Sequence, residues 1–247
     1  MKLICTFTLL TLLISSCSSQ EKISKKTFDE IALVNEIRFY DTKLDQPKFS
    51  CGFLLNYNND TFAITAKHVL KIIKPEEMTR LSFQNIIKSW SLYPLDKKTE
   101  VVMTDKLLNE NKNELLAAKS TYLNDWLVFS LKENKSKVKV LTARTTPLVP
   151  GEKLYVIGWT RKMESGQQRV YEFEYLKTID QRILLKEVLV PEQFGGLSGA
   201  PLVDDKGDVV GIVSNGTVDP DSKKKYFSPC VMDGLITFLT KYQAGQQ

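Results

Sequence analysis

A serine hydroxyl held among small residues can act as a nucleophile, and Gly195-Gly196-Leu197-Ser198-Gly199-Ala200-Pro201 holds one just before the apolar run Leu202-Val203. Such a hydroxyl attacks a carbonyl only with a base beside it, and the resulting oxyanion needs inward-pointing backbone N–H donors. Gly196 and Gly199, lacking a Cβ, are free to take tight, φ-positive geometries and to let the backbone approach a substrate closely. A turn between two strands has the same composition, so the string gains meaning only from a base and an acid elsewhere. The base on offer is His68, the single histidine of 247 residues. It lies in Thr65-Ala66-Lys67-His68-Val69-Leu70, after the apolar strand candidate Phe62-Ala63-Ile64-Thr65, and no other imidazole is available to a serine. A packed or solvated ring is the plainer alternative. The acid is Asp125, heading Trp126-Leu127-Val128-Phe129, where it could orient the imidazole from behind or simply cap a strand. An esterase of the α/β-hydrolase type would need the serine before the acid and the histidine last. The order here, His, Asp, Ser, excludes it.

These residues need elements to hold them. Phe49 to Tyr57 and Thr61 to Lys67 read as two strands around the turn Asn58-Asn59-Asp60, with β-branched and aromatic residues on both sides. A short helical turn is expected after His68, ending before Pro75. From Met78 to Lys119 the pattern is ambiguous: Leu81-Ser82-Phe83 and Val101-Val102-Met103 suit strands, while Asp105 to Lys119 carries helix formers and suits an insertion. Trp126 to Leu131 reads as a strand. In the second half, Leu154 to Gly158, Arg169 to Leu176, Arg182 to Val190, Ala200 to Val203 and Val209 to Ser214 are strand-like runs bounded by turn residues. Short strands at this spacing favour a sandwich or barrel. Val231 to Gln243, with Leu235, Ile236, Leu239 and Tyr242 at helical spacing, reads as an amphipathic helix packing on the core.

Together, the three chemical stretches resemble the trypsin/chymotrypsin-like serine peptidases, whose triad follows the same chain order. Phe49-Ser50-Cys51-Gly52-Phe53-Leu54-Leu55, running through the hairpin to His68, looks like the strand pair leading to that family's histidine. Gly151-Glu152-Lys153-Leu154-Tyr155-Val156-Ile157-Gly158-Trp159 looks like the opening of its second barrel, and Asp208-Val209-Val210-Gly211-Ile212-Val213-Ser214-Asn215-Gly216 like its substrate-pairing strand. The likeness runs from about residue 33 to the C-terminus. It implies an all-β fold of two six-stranded antiparallel β-barrels (chymotrypsin-like) with a C-terminal helix. It also implies a serine endopeptidase using His68, Asp125 and Ser198, with Gly196 and Ser198 N–H groups as oxyanion hole and Ser214, Asn215 and Gly216 as a strand for substrate backbone. Counting back from Ser198, Glu192 falls where trypsin-like enzymes place the acid at the base of the pocket for the residue before the scissile bond, which implies a preference for Lys or Arg. Leu197 replaces the aspartate that receives a new N-terminal ammonium in proteolytically activated members, so no such activation step is expected. The same fold without catalysis would serve as a peptide- or protein-binding module; retention of all three triad residues argues against it.

Met1-Lys2 and the apolar Leu3 to Ile14 form a secretory signal, too short for a membrane span. The small residues before Cys17 look like a bacterial lipobox, which implies removal of residues 1–16 and acylation of Cys17. The expected order is signal 1–16, tether 17–32, N-terminal barrel 33–131, inter-barrel linker 132–149, C-terminal barrel 150–231, and helix with tail 232–247. That places a lipid-anchored monomer in a bacterial cell envelope, at an outer membrane or periplasmic face, acting on a peptide or protein substrate.

A net charge of +5, with Lys223-Lys224-Lys225 lying near acids, gives no nucleic-acid footprint. No zinc-type spacing or cofactor motif is present, so neither metal nor cofactor is expected. Of the four cysteines, Cys51 and Cys230 remain in the folded part. Animal members of the family pair the first with a cysteine after the histidine, where Val69 and Leu70 stand here. Cys51 and Cys230 fall in different halves of the implied fold, so two buried thiols are expected.

Overall fold

The computed structural model describes residues 24–118 and 120–245. The signal 1–16, Cys17 and the first part of the tether lie outside the described residues. The first half contains β1 (Leu33–Phe39), β2 (Gln46–Tyr57), β3 (Asp60–Thr65), α1 (Leu70–Ile73), β4 (Arg80–Leu81), β5 (Ile87–Tyr93), β6 (Val102–Leu107), β7 (Asn111–Leu115), α2 (Ser120–Leu123), β8 (Leu127–Asn134) and β9 (Leu141–Thr142). The order β1-β5-β6-β8-β3-β2 closes on itself through β1 and β2, making a six-stranded barrel to which β9 adds in parallel beside β2. The second half contains β10 (Lys153–Gly158), β11 (Arg169–Ile179), β12 (Arg182–Leu189), β13 (Pro201–Val203), β14 (Val209–Ile212), β15 (Thr217–Val218), β16 (Lys225–Tyr226), β17 (Cys230–Val231) and α3 (Asp233–Ala244). Here β10-β11-β12-β17-β14-β13 form a closed barrel, and β15 pairs with β16 outside it. Two antiparallel six-stranded barrels and a C-terminal helix are the chymotrypsin-like architecture.

Local chemistry explains the elements. Asn58 and Asn59 take φ of 49° and 71°, the two-residue turn that matches strand twist and that asparagine tolerates; it sets Phe53 opposite Ile64 and Gly52 opposite Thr65. β10 buries five successive residues, Leu154 to Gly158, because both its faces meet apolar neighbours. On α3, Leu235 and Leu239 are fully buried, each contributing about 1.5–3 kcal/mol. Phe238 of the same helix meets the Trp126 ring of the first half at 5.4 Å, and Tyr57 on the first barrel bonds Thr240.

Three expectations need correction. The stretch from Asp105 to Lys119 forms no helical insertion: its first part finishes β6 and its second is β7, paired with β4. Between the two strands the Asn109 side chain bonds the backbone of Trp126 and Val128, which ties the turn to the start of β8. The polar tether does not extend to residue 32. From Ser24 the chain lies on the second barrel: Ser24 N–H donates to Val170 O, Lys26 pairs with Asp205 at 2.8 Å, the Phe28 ring meets Tyr155 at 5.3 Å, and Ile31 and Ala32 are buried. Finally, strands enter the expected linker 132–149: β8 runs on to Asn134, β9 docks on the first barrel, and Ala143 bridges Val209 of the second.

Candidate active site

Each barrel sends its share of the site to the seam between them. His68 lies in a 3-10 turn, Lys67–Val69, directly after β3. Asp125 precedes β8, which pairs with β3, so the acid and the base leave adjacent strands at the same end. Asp125 is fully buried; one of its oxygens accepts the His68 backbone N–H at 2.7 Å and the other accepts ring Nδ1 at 2.7 Å. A carboxylate only accepts, so Nδ1 carries the proton and Nε2 is left as an acceptor. Ser198 Oγ lies 2.7 Å from Nε2 and donates its proton there. Burial pushes the Asp125 carboxyl up, but hydrogen bonds from the His68 ring, the Ser214 hydroxyl and the His68 backbone N–H more than offset it and hold it below the usual carboxylate range.

Ser198 is held from the other barrel. Its carbonyl accepts from Cys51 N–H at 2.9 Å and from Ser50 Oγ. Ser50 takes φ of 62°, a conformation that costs a non-glycine residue about 1–3 kcal/mol and that gathers at functional sites. Thr65 Oγ1 donates to Cys51 O at 2.7 Å, and buried Asn35 donates to the same carbonyl. Burial pushes the Cys51 thiol up to about 12, so it packs rather than reacts. Cys51 and Cys230 are both free and buried.

Two glycines shape the backbone on either side of Ser198. Gly196 has φ of +102° and a Cβ there would lie 2.4 Å from Arg161 N; Gly199 has φ of +81° and a Cβ would lie 2.3 Å from Cys51 O. Arg161 N–H takes the Gly195 carbonyl at 2.6 Å and so turns the Gly196 N–H the opposite way. Leu197 and Gly199 N–H groups donate to Phe194 and Val213 carbonyls. Among the described residues the N–H groups of Gly196 and Ser198 make no backbone hydrogen bond. Beside them a cavity of about 60 Å³ is lined by Phe49, Val69, Ile72, Leu95, Met163 and Ser198, and by the charged Lys48 and Arg161.

The other residues singled out in the sequence fall as follows. Ser214 is buried, Asn215 is exposed and Gly216 half-buried, on the segment between β14 and β15. Ser214 does more than offer backbone: its hydroxyl donates to Asp125. Glu192 is not a buried acid at the foot of a pocket. Its side chain is 60% exposed, with Lys162 Nζ 3.9 Å away, because the loop after Pro191 runs outward. Between that loop and the segment leading to β17, the rings of Phe194 and Phe227 stack at 4.7 Å, and Phe227 stacks on Phe173 at 4.9 Å. Lys67 is 3% exposed, pairs with Glu114 of β7 at 2.7 Å and lies over the Trp126 ring. No cluster of metal-ligating side chains occurs among the described residues.

The family model described as Trypsin matches residues 39–234. Among solved structures, a mouse brain serine protease, neuropsin, is similar with a TM-score of 0.58 at 15% identity, over 87% of this chain and 95% of that one. The active form of the Rv3671c protease from M. tuberculosis is similar with a TM-score of 0.54 at 15% identity, over 87% and 81%. No curated protein matches the sequence.

Proposed function

The chain belongs to the trypsin family, and from that premise we propose that it is a serine endopeptidase working through an acyl-enzyme. The observation that carries the proposal is the unbroken chain of hydrogen bonds Ser198 Oγ to His68 Nε2 and His68 Nδ1 to Asp125. In this mechanism His68 takes the Ser198 proton as Oγ attacks a peptide carbonyl and returns it to the leaving amine. Asp125 fixes the tautomer and stabilises the imidazolium. The Gly196 and Ser198 N–H groups bind the oxyanion. Substrate backbone adds as a strand beside Ser214 and Gly216: backbone groups alternate in direction along a strand, and Asn215 O is already taken inside by Arg182.

With Glu192 in solvent and phenylalanine rings stacked behind the loop that carries it, the residue before the scissile bond is small or apolar rather than basic. The apolar cavity beside Ser198 takes the first residue of the leaving peptide. The enzyme acts as a monomer, anchored at a bacterial cell envelope through acylated Cys17; what supports this is the apolar run and small residues before that cysteine. The test of the function is a fluorophosphonate probe on purified protein. Labelling that disappears in Ser198→Ala and His68→Ala is expected, together with cleavage of a peptide library. A wild-type protein that binds peptides but neither reacts nor cuts would instead establish the catalytically silent binding module.

A further inference from the structure

The hydrogen bonds behind Asp125 end in a charge that the three triad residues do not require. Arg182, the first residue of β12, is 1% exposed. Its guanidinium donates to Ser214 Oγ at 2.7 Å and to the carbonyls of Tyr122, Asn215 and Ser228, and it stacks over the Tyr122 ring. None of these acceptors is a carboxylate, and Nε is buried without a partner among the described residues. Burial pulls this guanidinium below its ordinary value, yet arginine remains a cation in proteins. A buried cation without a counter-charge is costly. The negative charge its bonds reach is Asp125, one hydroxyl away. Because arginine only donates, the Ser214 oxygen must accept from it, and the single Ser214 proton is thereby directed at Asp125.

We propose that Arg182 is a positioning residue of the triad: through Ser214 it holds the Asp125 carboxylate in place, and its charge opposes protonation of His68, keeping the imidazole a free base at lower pH than in its absence. The inference rests on the peptidase reading and extends it to the enzyme's working pH range. The other charged or titratable groups around the pair do not supply this effect. Lys67, preceding His68, is neutralised by Glu114 from β7. The Cys230 thiol on β17, pushed up by burial, stays neutral and donates to Leu123 O. The Tyr122 hydroxyl on α2 is bonded to Thr217. Arg182 is the cation left uncompensated.

His68 being the single histidine, NMR of the imidazole in untagged protein reports on it without assignment. The titration midpoint is expected to rise by about 1 pH unit in Arg182→Met and Arg182→Gln, as loss of a cation three hydrogen bonds away implies at an effective dielectric of about 20. It should stay near wild type in Arg182→Lys. The acid limb of kcat/KM should move with it, which lost packing alone would not cause. Should Arg182→Met fail to fold, Arg182→Gln, which keeps a donor for Ser214, carries the test. A folded neutral variant with an unmoved midpoint overturns the proposal, as does an Arg182→Lys midpoint shifted as far as the neutral ones. The titration needs no turnover, so a wild-type protein that is inert to fluorophosphonate refutes the peptidase reading separately from the charge coupling.

Discussion

Gly196→Ala tests the oxyanion pocket in a single atom. An alanine Cβ would sit 2.4 Å from Arg161 N, 2.8 Å from Thr160 C and 3.0 Å from Trp159 O, all backbone atoms that cannot swing aside, at a φ of +102°. Strain of this kind costs about 1–2 kcal/mol for an L residue, and the peptide relieves it by rotating, which takes the Gly196 N–H out of the pocket. Losing one oxyanion donor lowers kcat by about 10²–10³, equivalent to ~2.7–4 kcal/mol of transition-state stabilisation. KM should change far less, since the donor acts on charge that develops only in the transition state. Steady-state kinetics on a peptide ester, with the rate of fluorophosphonate labelling alongside, measures both. Gly195→Ala is the control: its Cβ meets nothing within 4 Å, so kcat and KM should stay near wild type. A Gly196→Ala enzyme that kept wild-type kcat would remove the Gly196 N–H from the mechanism.

Asp125→Asn should lower kcat by about 10⁴ through the wrong imidazole tautomer. Because the Asp125 carboxyl is depressed in the fold, the stability it contributes is complete above its unfolded value of about 4 and is lost as pH falls through the lower folded value; the Tm gap between wild type and Asp125→Asn should therefore close on acidification, and a gap that widened would contradict the assignment. Glu114→Ala leaves Lys67 buried without its partner and should destabilise by about 1–3 kcal/mol in chemical denaturation, discounting the penalty for a fully buried pair because Glu114 is partly exposed. Glu192→Gln should leave the cleavage profile on a peptide library unchanged, whereas lost cleavage after Lys or Arg would restore that carboxylate to the pocket. Cys17→Ala should move the protein from the membrane to the soluble fraction or block its maturation, and unchanged partition would dispose of the lipid anchor.

The triad was legible because nucleophile, base and acid each stand beside a local signal: glycines around Ser198, an apolar strand before His68 and another after Asp125. Short runs bounded by turn residues pointed to a sandwich or barrel, and the two six-stranded barrels came from the family resemblance. What stayed hidden depends on contacts between distant strands. β5, which closes the first barrel between β1 and β6, lies in the ambiguous region, although Trp90, Leu92 and Tyr93 between Asn85 and Pro94 carry a strand signal. Arg182 could have been noticed as a charge opening the apolar run Ile183-Leu184-Leu185, but its acceptors come from α2, the segment after β14 and the segment before β17. Ser50 gives no sign of a positive φ, since the Ser198 carbonyl that it bonds belongs to the other barrel. The path of Glu192 was misjudged by ungapped counting, which cannot see that a loop runs outward.

The bonds from Ser50 and Cys51 to the Ser198 carbonyl bear on when the three side chains of the site come together. A chain made from its N-terminus tends to fold barrel by barrel, so His68 and Asp125 are in place while Ser198 still belongs to an unfinished half. That half closes only when β17 enters between β12 and β14, at residues Cys230 and Val231, and only then is Ser198 clasped by the first barrel. A chain that has closed only its first barrel therefore holds His68 and Asp125 without Ser198 beside them, and the constellation is complete only once β17 has joined β12 and β14.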